Sequence, residues 1–144
     1  MSFKNILIPY DGSDFSKRAF KTALDLAVKY DAELTIITCI DIHYSGTWYQ
    51  DNRISDQNFN RLYKTAKAEI EKLNSEARKY RITLDSKILE SPQIVKTIID
   101  YVKSHSIDLI VMGSHGRKGL DKLILGSVAN GVLQRANCPV LVIR

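Results

Sequence analysis

Cysteine is scarce: only Cys39 and Cys138 occur in 144 residues. Neither has a cysteine or histidine at metal-ligand spacing, which argues against a disulfide framework and against a zinc site. Both fall in predicted strand regions and read as small buried hydrophobes in a reducing compartment. No apolar run approaches the ~20 residues of a membrane-crossing helix. Met1-Ser2-Phe3-Lys4-Asn5 also lacks the apolar core of a secretory leader, so a cytoplasmic protein without a membrane partner is expected. Charge of one sign is nowhere concentrated. The net charge is +5 and the pI about 9.2, but 21 Lys and Arg are scattered among 16 Asp and Glu. Without a basic block or the aromatic–basic motif of an RNA-binding sheet, solvated helix faces account for the charge, and nucleic acid is not expected as a partner. Repeats, low-complexity stretches and linkers are absent too, so residues 1–144 read as one domain.

Two familiar phosphate signatures are also missing. A P-loop needs Lys and Ser or Thr directly after its last glycine, an order that Gly113 to Lys118 does not supply. The dinucleotide fingerprint should follow the first strand, where only Gly12 stands.

What is present is alternation. Residues 3–9 form a predicted first strand centred on Ile6-Leu7-Ile8, and Ser13 or Asp14 can cap a helix carrying Phe20, Ala23, Leu24, Ala27 and Val28. Leu34–Ile40 is a second strand, rich in β-branched residues. Residues 41–57, with Trp48 and several Asp and Asn, show no clear period and read as an insertion or long loop, with a partly helical segment as the alternative. Helical spacing returns from Phe59 at Leu62, Ala66, Ile70, Leu73 and Ala77. Thr83–Leu89 is a third strand, and a helix near Pro92 carries Val95, Ile98, Ile99 and Val102. Asp108–Met112 is a fourth strand, and Val140–Ile143 a fifth. Strands alternating with helices of crossover length predict a parallel sheet covered on both faces.

Between the last two strands lies Met112-Gly113-Ser114-His115-Gly116-Arg117-Lys118-Gly119, then Leu120–Leu125, then Gly126-Ser127-Val128. Ser127 is the expected N-cap of a helix with Val128, Val132, Leu133 and Ala136 on one side. Glycine lets backbone amides approach an anion, and a helix N-terminus adds free donors and the positive end of its dipole. His115, Arg117 and Lys118 can neutralise remaining charge. The segment therefore reads as a phosphate site, although the same residues also serve ordinary turn and cap chemistry. In a doubly wound sheet, ligands bind beyond the strand ends where the winding reverses. If the first and fourth strands are neighbours, Asp11 shares that crevice. There it would accept hydrogen bonds from a ribose or base, or help hold Mg²⁺, unless it is only a turn-former.

Four pieces of the chain resemble the universal stress protein family: Ile6–Ser13, Asp108–Arg117, Gly126–Ala129 and Cys138–Ile143. The Gly-x2-Gly-x9-Gly-Ser/Thr pattern of that family's ATP-binding branch is matched by Gly113, Gly116, Gly126 and Ser127. The resemblance implies a single-domain α/β fold of the adenine nucleotide alpha hydrolase-like type, with five strands in the order 3-2-1-4-5. It implies that Pro9, Asp11 and the backbone at Cys39 border adenine and ribose. Met112, Gly113, Gly116, Gly126, Ser127 and Val128 would line the ribose-phosphate path, with His115 and Arg117 matching the loop in type. The implied ligand is ATP, with AMP and ADP as alternatives, accompanied by Mg²⁺; the implied assembly is a homodimer through the last strand. Departures are Ser91, where many relatives have Gly, and the aromatic residues around Trp48. The expected function is a nucleotide-dependent stress-response module without efficient catalysis. The alternatives are a nucleotide-free scaffold and a small nucleotide phosphohydrolase.

Overall fold

The computed structural model describes residues 2–41, 52–116 and 124–144. Among them five strands and four helices alternate: β1 (Asn5–Pro9), α1 (Asp14–Tyr30), β2 (Glu33–Ile40), α2 (Asn52–Lys79), β3 (Leu84–Glu90), α3 (Ile94–Ser104), β4 (Leu109–Gly113), α4 (Ser127–Arg135) and β5 (Val140–Ile143). All pairings are parallel, and the order across the sheet is β3-β2-β1-β4-β5.

The fold follows from two-sided burial. Ile6, Leu7 and Ile8 are fully buried because successive side chains leave β1 on opposite faces and both faces are covered. Ile6 and Ile8 pack with Phe20, Ala23 and Leu24 of α1 and with Ile70 and Leu73 of α2. Leu7 packs with Ile98 and Val102 of α3 and with Ala129 and Val132 of α4. Each such side chain contributes about 1.5–3 kcal/mol when withdrawn from water. The chain leaves β1 toward β2 on one side and returns to β4 on the other, so the winding reverses between β1 and β4.

Several local expectations need correction. α2 begins at Asn52, so residues 52–57 take the helical alternative within the segment expected as an insertion or long loop over residues 41–57. Its opening Asn-Arg-Ile-Ser-Asp-Gln-Asn holds one apolar residue, so no helical stripe is visible there. Trp48 lies outside the described residues. The N-cap of α4 is Gly126 rather than Ser127, which is already helical. Ala129 and Val132 make the buried face of α4, whereas Leu133 is 42% exposed and Val28 on α1 50%. Cys138 precedes β5 instead of lying in it, and both thiols are free and half-buried.

Candidate functional site

The loops after β1 and β4 meet. The Asp11 Oδ1 accepts a hydrogen bond from the Ser13 amide at 2.9 Å, and Gly12, at φ 81°, supplies the left-handed turn that this requires. The other carboxylate oxygen faces Gly116 so closely that a Cβ there would lie 2.7 Å from Oδ2. Asp11 is thus a turn-former and at the same time a carboxylate on the rim of the β4–α4 loop.

Two helix N-termini stand near this rim, and they differ. That of α1 is satisfied by its own residues, since the Ser13 Oγ accepts from the Ser16 amide at 3.2 Å. That of α4 carries no side-chain cap. The Gly126 N–H donates to the Ser114 carbonyl at 2.8 Å, and the first-turn residues Ser127, Val128 and Ala129 line the crevice. Uncapped amides at the positive end of a helix suit an anion.

The glycines divide their labour in a way that spacing does not reveal. A Cβ at Gly113 would meet the Phe15 Cβ at 2.7 Å and the Phe15 backbone at 2.9 Å, so this glycine lets α1 lie against β4. A Cβ at Gly126 would meet the Ser114 carbonyl oxygen at 2.8 Å and the His115 Cα at 3.1 Å, so this one lets the loop close on itself. Among the described glycines of this segment, only Gly116 turns its bare face toward Asp11.

At the other end, β2 outruns β1. The β1 register stops at Pro9 opposite Ile37, whereas β3 follows β2 to Ile40. The Tyr10 amide donates to the Ile37 carbonyl and the Ser91 amide to that of Ile40, and the direction of backbone polar groups alternates along a strand. The Cys39 N–H and C=O therefore point to the side where β1 has ended. They offer one donor and one acceptor to the crevice. Beside them the Thr38 hydroxyl donates to the Tyr10 carbonyl at 2.9 Å. The Cys39 thiol is pushed up to about 11 by burial, which keeps it protonated at neutral pH.

These parts line one crevice of about 630 Å³ over the strand ends, large enough for a mononucleotide. Pro9, Asp11, Cys39, Met112, Gly113, His115, Gly116, Gly126, Ser127 and Val128 all border it, with Met112 buried as its floor. Arg117 lies outside the described residues. Sequence reasoning missed the α2 wall of Leu62, Thr65, Ala66 and Glu69. Leu62 and Ala66 read as core because they continue the stripe of Ile70, Leu73 and Ala77. That stripe continues from the core into the crevice wall. Asp11, Asp41 and Glu69 place three carboxylates on the wall, and its described residues include no Lys or Arg.

The universal stress protein family model matches residues 2–144. The chain belongs to the universal stress protein family. Universal stress protein MJ0531 of Methanocaldococcus jannaschii is 32% identical over 99% of this chain and 82% of that protein. The universal stress protein UspA of Lactobacillus plantarum superposes with a TM-score of 0.90 at 28% identity, covering 100% of this chain and 99% of that one. Two more distant members share the fold: one in complex with cAMP, with a TM-score of 0.69 at 23% identity, covering 100% of this chain and 98% of that one; and one from Archaeoglobus fulgidus in complex with dAMP, with a TM-score of 0.67 at 22% identity, covering the whole of both chains. In this universal stress protein, no group of three or more His, Cys, Asp or Glu among the described residues could hold a metal ion by itself.

Proposed function

We propose that this universal stress protein binds an adenine nucleotide, chiefly ATP, and acts as a nucleotide-dependent regulatory module rather than an enzyme. The observation that carries this reading is the uncapped N-terminus of α4 opening beside Asp11 into a mononucleotide-sized crevice. The phosphates would accept hydrogen bonds from the first-turn amides of α4, and Asp11 would accept them from the ribose. The Cys39 N–H and C=O match adenine N1 and its exocyclic amine; guanine in the same orientation presents that donor and acceptor reversed. The cAMP and dAMP complexes of family members support the class of ligand.

Mg²⁺ suits this wall. Three carboxylates without a described Lys or Arg repel a bare triphosphate, and a cation coordinated mainly by phosphate oxygens, with Asp11 as the protein carboxylate at hand, lowers that cost. Efficient hydrolysis is not expected, because the loop lacks the Lys of a P-loop. The expected assembly is a homodimer through β5, and the expected location is the cytoplasm. Edge-strand geometry favours the dimer, since among the described residues β5 pairs with β4 alone and exposes Leu141.

Thermal unfolding in a millimolar titration tests the reading. Ligand at 100-fold above its Kd stabilises the folded state by about 2.7 kcal/mol, so Mg-ATP should raise Tm by several degrees and Mg-GTP by less. An unchanged Tm across the titration, together with a nucleotide-free native mass spectrum, overturns it in favour of the scaffold.

A further inference from the structure

His115 stands where a phosphate neighbour is expected, yet both its ring nitrogens already have protein partners. Nδ1 lies 2.8 Å from the Ser114 Oγ, and Nε2 is hydrogen-bonded to the Ile124 carbonyl, across nine positions of chain. A carbonyl only accepts, so Nε2 carries the proton. In the neutral ring Nδ1 then accepts from the Ser114 hydroxyl. The ring rests on Phe15, centroid to centroid at 5.1 Å. Ser114 itself is a buried junction: its amide donates to the Ile143 carbonyl at 2.7 Å, and its carbonyl accepts from the Gly126 amide at 2.8 Å. Residues 124–126, which lead into α4, are therefore tied to residues 114–115 twice, once by backbone and once through the imidazole.

We infer that His115 is a positioning residue that clips Ile124 to Ser114 on the Phe15 platform and so aims the open N-terminus of α4 at the crevice. Its effect on a ligand is indirect, because no ring nitrogen is left over for a phosphate. This extends the anion-site reading and rests on it for the affinity measurement alone; the clip itself is a property of the ligand-free protein.

The test compares wild type with His115→Ala, His115→Gln and Ser114→Ala. Gln reaches about as far as Nε2 and keeps a donor for the Ile124 carbonyl, but it cannot carry a positive charge. In ligand-free protein at about pH 8, long-range ¹⁵N spectra of the imidazole should show the Nε2–H tautomer. Hydrogen exchange at the Gly126 and Asn130 amides, which donate to the Ser114 and Gly126 carbonyls, should accelerate in His115→Ala, less so in Ser114→Ala, and return toward wild type in His115→Gln. With Mg-ATP, His115→Ala should bind roughly ten-fold more weakly, the loss expected for about one net hydrogen bond, and His115→Gln should recover most of it. An Nδ1–H ring, or unchanged amide exchange in His115→Ala, overturns the clip. Equal loss of ATP affinity in His115→Ala and His115→Gln also overturns the indirect role and makes His115 a direct phosphate contact. If wild type binds no ATP while the exchange pattern is as expected, the clip stands and the nucleotide reading fails.

Discussion

At the scale of single residues, the glycines of the β4–α4 segment separate binding from folding. Among the described residues, Gly116→Val sets its new Cβ against the Asp11 carboxylate, a side-chain group, at 2.7 Å. It should leave stability within about 1 kcal/mol of wild type and lower ATP affinity at least ten-fold, as read by calorimetric titration. Gly126→Val drives its Cβ into the Ser114 carbonyl oxygen, a backbone atom with nowhere to go. It should cost about 2–3 kcal/mol in urea unfolding as well as the ligand. Both glycines occupy matching places in the Gly-x2-Gly-x9-Gly-Ser pattern, and spacing alone cannot tell them apart. Cys39 gives a pH-dependent counterpart. Burial raises its thiol from an ordinary 9.0 to about 11, so the unfolded chain releases this proton first. Its contribution to stability is whole below pH 9.0 and is lost as pH rises toward 11. The stability difference between wild type and Cys39→Ser, followed by urea unfolding through that range, should change in this direction and be flat below it.

At the scale of elements, helix contacts set what a substitution does. Gly131 in α4 would normally gain about 1 kcal/mol on replacement by Ala, through helix propensity. Here the added Cβ would lie 2.8 Å from the Val95 Cγ2 of α3, a stiff β-branched side chain. Overpacking of that kind costs about 1–3 kcal/mol, so Gly131→Ala should be net destabilising in a denaturant titration. The alternation of elements and the fold class were legible, because buried parallel strands are continuous apolar runs and α1 and α3 carry clear stripes. Element limits were less so. The start of α2 is polar and carries no stripe, and Ser127 resembles a cap although the chain enters the helix one residue earlier. Leu133 looked like core by its period, but α4 is short and turns only Ala129 and Val132 fully inward.

At the scale of the whole molecule, the crevice and the β5 edge are joined through one buried serine. The Ser114 amide bonds to the Ile143 carbonyl at the end of β5, while its carbonyl holds the Gly126 amide at the start of α4. On the far side, the Arg18 Nε donates to the Arg144 carbonyl at 2.8 Å and stacks on Phe15, 4.8 Å from the ring centroid. If β5 pairs with its counterpart in a second copy, a charge placed on its exposed side chain should separate the two. Sedimentation of Leu141→Lys should give a monomer where wild type gives a dimer. An unaltered sedimentation coefficient in the variant would place the interface elsewhere.

The amino-acid order alone determined the sequence of strands and helices, the parallel sheet and the Gly-rich segment as a candidate anion site. Those depend on local period, apolar content and spacing, all of which one chain carries on its face. Tertiary structure decided the rest, because the deciding distances join residues far apart in the chain: Asp11 to Gly116, Phe15 to Gly113, His115 to Ile124, and the end of β1 two residues short of Cys39. Which glycine serves the crevice, which helix end stays open and which histidine nitrogens are already engaged follow from close packing between elements, and no local pattern records it.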